Sequence, residues 1–328
     1  MSIFDRQLSR KPDHYPWVTQ FIEAMWSGFW TPTKFTFNGD KQDFLVKLTD
    51  EEREVIVRTL AAIAQIEIDV KMFWAKLGDN LPHPSLFELG IKMAEVEIVH
   101  NRAYEKLLTV LDKEDVFDKN MNEPVIKGRV EYLQKHRERA YTEDRKQFLY
   151  SIILFTLFIE NVSLFSQFYI ILWFNKFNNV LKDTANQVKY TTKEEQIHAL
   201  AGVKIINTIR EELPELFDED LKSLVLEQAE RAYRAECDVI DWILKDFDEP
   251  KLNAELLKGF VASRLNESLS LIGYGKPLPV DPNIEIETEW MDMMVYGKSR
   301  TDFFHGHSID YSRDDQSFTV EAVFGVSR

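Results

Sequence analysis

Apolar and polar positions along this chain alternate with a period near 3.6 over long stretches, which predicts a succession of amphipathic helices. One such pattern runs from Tyr15 to Gly28 and stops at the turn Gly28-Phe29-Trp30-Thr31-Pro32. A second opens at Thr49, where Glu52 completes a capping box, and continues through Ile63, Ile66, Val70 and Phe73 to about Leu77. Pro82 and Pro84 interrupt the chain, and a third pattern fills about 85–111. Further helices are predicted over about 123–141, 143–178, 184–213, 219–246 and 251–273, with a short one at 288–296. Along 123–141 the residues Arg129, Lys135, Arg137 and Arg139 predict a solvated face.

The segment from Phe148 to Phe174 is different, because it is apolar on almost every side. It is long enough to cross a bilayer. However, Glu160 near its middle would be costly at mid-membrane, and no second span accompanies it. A helix apolar all round is also what the centre of a large helical bundle requires. The expected fold class is therefore all-α with no membrane span: a helical body over 1–285, then an extension over 286–328 that Pro277, Pro279 and Pro282 announce.

Two helices carry the same chemical spacing. Glu97-Ile98-Val99-His100 places a carboxylate and an imidazole on one helix face, with Tyr104 one turn further on. Glu195-Gln196-Ile197-His198 repeats the spacing downstream. Paired Glu-x-x-His helices, joined by one glutamate from each of two other helices, build the dinuclear carboxylate site of ferritin-like bundles. Glu160, set among Leu157, Phe158, Leu164 and Phe165, is the third carboxylate, since a buried charge needs a partner. Glu67 is the fourth, sharing a helix face with Ile63, Val70 and Lys71, while Asp69 lies off that face. Four glutamates balance two divalent cations, which burial demands. Oxygen and imidazole donors suit iron or manganese better than a thiolate-seeking metal.

Composition narrows the choice. A net charge of −15 offers no basic stripe for phosphates, so no nucleic-acid partner is expected. A single cysteine, Cys237, excludes an internal disulfide and a cysteine metal cage. Met1-Ser2-Ile3-Phe4-Asp5-Arg6 has no apolar signal core, and a reducing cytoplasmic location is the expectation.

These motifs, with Phe29-Trp30-Thr31-Pro32, Glu194 and the tail residues Thr301-Asp302-Phe303-Phe304, Tyr311 and Ser317–Phe324, resemble the small, radical-generating subunit of class I ribonucleotide reductase over nearly the whole chain. The resemblance implies a homodimer and metal ligands Glu67, Glu97, His100, Glu160, Glu195 and His198. It puts Tyr104 at the family's radical-bearing phenol and Trp30, Glu194 and Tyr311 on its radical-transfer route. Leu164 and Phe168 would wall the site from water. It also implies that the tail, with Phe318, Val320, Val323 and Phe324, docks into a large catalytic subunit; Gly325-Val326-Ser327-Arg328 extends past the usual final Phe. Two features depart from the diiron-tyrosyl pattern: Glu67 stands where those members usually have Asp, and Lys71 lies one turn after it. Lys71 is placed to hydrogen-bond Tyr104 or to attract an anionic oxidant. Two manganese ions are therefore favoured, with diiron and manganese-iron as alternatives. The competing functions are another di-metal oxidase or hydroxylase on the same bundle and, less in keeping with the length and tail, a metal-storage protein.

Overall fold

The computed structural model describes residues 2–120, 122–245 and 247–297 and a two-residue strand pair, Ile309–Asp310 antiparallel to Ser317–Phe318; the side chains of residues 67, 68 and 132 and of the strand pair lie outside the described set. The chain begins with α1 (Val18–Ser27) and α2 (Asn38–Val46), then the long α3 (Asp50–Ala75) and a single turn, α4 (Leu77–Asn80). The predicted capping box is present: Thr49 accepts from the Glu52 amide and the Glu52 carboxylate accepts from the Thr49 amide. Next come α5 (Pro84–Leu111), α6 (Glu114–Asn120) and α7 (Pro124–Ala140). Pro84 sits in the first turn of α5, where its missing N–H leaves nothing unpaired.

The apolar rod follows as α8 (Arg145–Leu154), a π-helical segment π1 (Phe155–Ser163) and α9 (Phe165–Asn178). The sequence predicts one uninterrupted helix here, and the structure inserts a wider winding around Glu160. The most apolar stretch of this 34-residue rod is fully buried inside the protein. It is thus a core helix, and burial of each large side chain along it contributes about 1.5–3 kcal/mol. Then α10 (Lys182–Glu212), a 3-10 turn (Pro214–Leu216), α11 (Glu219–Leu244), α12 (Ala254–Leu271) and α13 (Asn283–Tyr296) complete the described body.

α3 lies along α5, π1 packs between α10 and α12, and α10 also meets α5. This is an all-α, ferritin-like bundle whose centre is lined by α3, α5, π1 and α10. Two glycines set how closely these helices approach. A Cβ at Gly202 would sit 2.2 Å from Thr156 Oγ1, so the absence of a side chain there lets the Thr156 side chain of π1 pack against α10 one turn beyond His198. A Cβ at Gly90 would sit 2.5 Å from the Trp74 carbonyl, which brings α5 against the end of α3.

The solvated face expected on α7 is only partly there. Lys135 and Arg139 are exposed, but Arg129 is 5 % exposed and points inward to the Ser163 carbonyl. Arg137 pairs with Asp69, which accounts for that acid without any part in a metal site. Period alone did not show that Arg129 of α7 turns inward to π1 and α11.

Candidate metal centre

The bundle brings Glu97, His100, Glu160, Glu195 and His198 together in its dry middle, each 0 % exposed. Glu97 and His100 come from α5, Glu160 from π1, Glu195 and His198 from α10. Ligand atoms of Glu97, Glu160, Glu195 and His198 lie within 4.8 Å of one another. His100 adjoins them: its Nδ1 is 3.1 Å from Glu97 Oε2 and 3.1 Å from Glu195 Oε1. His198 Nδ1 is 2.7 Å from Glu97 Oε1, 3.4 Å from Glu195 Oε2 and 3.6 Å from Glu160 Oε2. Glu97 and Glu195 therefore each present one oxygen to one histidine and the second oxygen to the other. Glu160 stands on the His198 side. Glu67 belongs to α3, and its side chain lies outside the described residues.

Several of these atoms have no hydrogen-bond partner although fully buried: Glu97 Oε1, Glu160 Oε2, both Glu195 oxygens and both His198 nitrogens. They approach one another closely without hydrogen-bond geometry. Buried polar groups are normally paired, and such convergence of orphaned donors is what cations would resolve. The residues therefore fit a metal site, and the two-sided carboxylates give it room for two ions.

The electrostatics agree. Burial, with the Glu195 charge beside it, pushes the Glu160 carboxyl well above the usual range. Burial would raise Glu97 too, but the neighbouring His198 charge and the His100 hydrogen bond hold it below the usual range. His198, which burial alone would make less basic, is raised well above an ordinary imidazole by Glu97 and the other carboxylates. In the absence of metal, protons on the site thus do part of the work that cations would do.

A polar chain leaves this cluster. His100 Nε2 lies 2.7 Å from Glu194 Oε2, and Trp30 Nε1 donates to the same oxygen at 2.9 Å. The Trp30 and His100 rings are stacked, 6.3 Å between centroids, and the Tyr190 ring lies 5.9 Å from Trp30. Trp30 is 4 % exposed and Glu194 2 %. Glu194 is thus no solvated neighbour of Glu195 but the link between an imidazole of the cluster and an indole. Tyr104 is buried one turn past His100, with its hydroxyl donating to Thr191 Oγ1 at 3.4 Å. Lys71 Nζ donates to Asn101 Oδ1 at 2.8 Å, a different acceptor from the Tyr104 oxygen that the sequence offered. Leu164 and Phe168 are buried. Tyr311, the 301–304 motif and the apolar residues of the tail lie outside the described residues.

Sequence reading missed Trp74, which donates its indole N–H to Glu160 Oε1. Its signal was available: it sits two turns after Glu67 on α3, and a buried indole needs an acceptor. Thr191, Asn101 and Tyr190 were also missed, since nothing marks them along the chain.

Comparison with known proteins decides the family. The family model for "Ribonucleotide reductase, small chain" matches residues 9–284. This chain belongs to the ribonucleotide reductase small-chain family. Among curated relatives, a ribonucleoside-diphosphate reductase subunit beta of Halalkalibacterium halodurans is 24 % identical over 311 residues, covering 91 % of this chain and 87 % of the relative. Among solved structures, the ribonucleotide reductase R2 subunit of Clostridium botulinum superposes with a TM-score of 0.77 at 20 % identity, covering 86 % of this chain and 88 % of that one. The dimanganese(II) form of NrdF from Streptococcus sanguinis gives 0.74 at 16 %, covering 87 % and 99 %. An R2-like ligand-binding oxidase with a Mn/Fe cofactor gives 0.69 at 16 %, covering 80 % and 96 %. At these identities the structural likenesses speak for the fold.

Proposed function

We propose that this ribonucleotide reductase small chain generates an oxidising equivalent at a dinuclear metal centre and passes it to a separate large catalytic subunit, which reduces ribonucleoside diphosphates. The ligands in this reading are Glu67, Glu97, His100, Glu160, Glu195 and His198, with two manganese ions favoured. When bound, the cations supply the one-electron oxidant. The chain's own residues shape its use. Leu164 and Phe168 exclude water; Trp74 fixes one oxygen of Glu160; Glu194 accepts hydrogen bonds and can hold a proton between His100 and Trp30. The single observation that carries the reading is the Trp30–Glu194–His100 chain, because a metal-storage protein or a self-contained oxidase has no need to wire its site to an indole outside it. In the same reading Tyr311 continues the route, Tyr104 is the candidate radical-bearing phenol, and Lys71, half-buried next to His100's neighbour Asn101, draws an anionic oxidant toward the site.

The preference for manganese rests on Glu67 and Lys71. Metal analysis of active protein together with electron paramagnetic resonance tests it. Two manganese ions per chain without a stable tyrosyl signal is the expected result; a sharp tyrosyl signal with stoichiometric iron would replace it with the diiron form.

The helical body, expected over 1–285 and continued by α13 to Tyr296 where it packs on α12 and α10, carries the site, and the chain beyond it is the docking extension. Deleting residues 312–328 should abolish reductase activity with a matched large subunit and leave metal stoichiometry unchanged. Full activity after truncation would remove the docking role. A homodimer, working in a reducing cytoplasm, completes the proposal. Support for the dimer comes from α5, where Phe87, Ile91 and Ile98 form one exposed apolar stripe and Lys92 of the same helix lies over the exposed Phe29 ring.

A further inference from the structure

Glu160 sits in a segment whose winding is not that of an ordinary helix. Over Phe155–Ser163 the chain makes π turns, and the ladder breaks at Leu164, whose N–H turns back to the Val162 carbonyl. A change of winding turns backbone carbonyls at the joint out of line with the amides that would otherwise meet them. In a buried helix those oxygens need donors from elsewhere.

The donors are two buried arginines on helices that carry no ligand. Arg264 of α12 is 2 % exposed. Its Nε donates to the Asn161 carbonyl at 2.9 Å and its Nη2 to Asn161 Oδ1 at 2.9 Å. The Asn161 amide nitrogen in turn donates to Ser268 Oγ at 2.5 Å, one turn along α12 from Arg264. The guanidinium lies over the Phe165 ring, its Cζ 3.3 Å from the centroid. Arg129 of α7 donates through Nη2 to the Ser163 carbonyl at 3.2 Å, with Glu236 3.6 Å from its Nε as counter-charge. Asn161 directly follows Glu160, and Ser163 ends the π segment.

We infer that Arg264 and Arg129 are positioning residues: they hold the π turn at Asn161 and at Ser163 and so aim the Glu160 carboxylate at the metal cluster. The inference rests on the reading of Glu160 as a ligand. Rewinding the segment to ordinary pitch would shift the direction of every side chain in it, and Glu160 Oε2 would leave its place 3.6 Å from His198 Nδ1. Arginine is needed at 264 because a planar fork reaches a carbonyl and a side-chain oxygen of the same residue at once, which a lysine ammonium does with less directional control. It also explains why α12, remote in sequence from all six ligands, packs along π1.

The experiment uses the full chain and Mn2+ alone, with dissociation constants read by chelator competition and thermal midpoints read on metal-free protein. Arg264→Met should weaken one of the two Mn2+ sites by roughly 10–100-fold, the range found when a group that orients a metal ligand is lost. Arg264→Lys should fall between Met and wild type. Arg58→Met is the control for simple loss of a buried arginine: Arg58 is 7 % exposed and bonds the Trp242 and Ile243 carbonyls at 3.3 and 3.4 Å, away from Glu160. It should lower the thermal midpoint yet bind both ions with wild-type affinity. Wild-type Mn2+ affinity in Arg264→Met, or an equal loss in Arg58→Met, would overturn the positioning role. If Arg264→Met does not fold, Arg264→Lys and Ser268→Ala decide: weakened Mn2+ binding in both supports the role, and unchanged affinity in both ends it. A wild-type chain that binds no Mn2+ would instead sink the ligand reading beneath it.

Discussion

Glu97→Gln should bind fewer than two divalent ions per chain where the wild type binds two. Glu97 is the carboxylate with one oxygen 3.1 Å from His100 Nδ1 and the other 2.7 Å from His198 Nδ1. An amide keeps the shape but offers one oxygen; its NH2 group turns two hydrogens toward the second cation. The site also loses one of the negative charges that neutralise the ions, and a buried ion left without its counter-charge is strongly disfavoured. The readout is metal analysis after desalting, paired with thermal scans. A metal supplied at a thousand times its dissociation constant stabilises a protein by about 4 kcal/mol, a shift on the order of 8 °C for a large domain. Most of that increment should vanish in the variant. The metal-free variant should melt somewhat lower than metal-free wild type, because the charged Glu97 is favoured by His198 and His100; the thermal readout is therefore the metal-dependent increment, measured against each protein's own metal-free midpoint. Two ions and an undiminished thermal increment would show that Glu97 does not serve both positions.

The second large effect is expected at Trp30. Trp30→Phe keeps an aromatic ring in the pocket formed by Phe35, His100 and Tyr190, and removes the N–H that Glu194 accepts. It also replaces an oxidisable indole with a benzyl ring. Turnover with a large subunit should fall by about 10²–10⁴-fold, the range associated with loss of a positioned proton-transfer partner. Metal content should stay at the wild-type level, since Trp30 is linked through Glu194 to His100 Nε2, while the other ring nitrogen, Nδ1, faces Glu97 and Glu195. Activity within threefold of wild type would exclude Trp30 from the route, and a loss of metal would mean that it braces the site.

Much of this could be read along the chain because the chemistry follows helical spacing. Glu97 with His100 and Glu195 with His198 share faces by arithmetic alone, and Thr49 with Glu52 marks a helix start through its own hydrogen bonds. The winding around Glu160 was not legible for a physical reason. A helix that is apolar on every side carries no periodic signal, so a change from one pitch to another leaves no trace in its pattern. Arg129 was misread for a related reason. Among Lys135, Arg137 and Arg139 it looks like one more surface charge, and only the position of α7 against π1 reveals a buried acceptor for it. Trp74 lay between these cases, since its spacing from Glu67 was visible but its acceptor, Glu160, sits 86 positions away in sequence.

The two-faced carboxylates of Glu97 and Glu195 bear on how the protein fills. Each group faces both histidine positions, so under the proposed function a first ion would order oxygens that a second ion would also use. Ordering them once serves both arrivals, and the second ion meets a prepared pocket. Half-loaded molecules should then be scarce, and a sample given one equivalent of metal would be largely a mixture of empty and full chains.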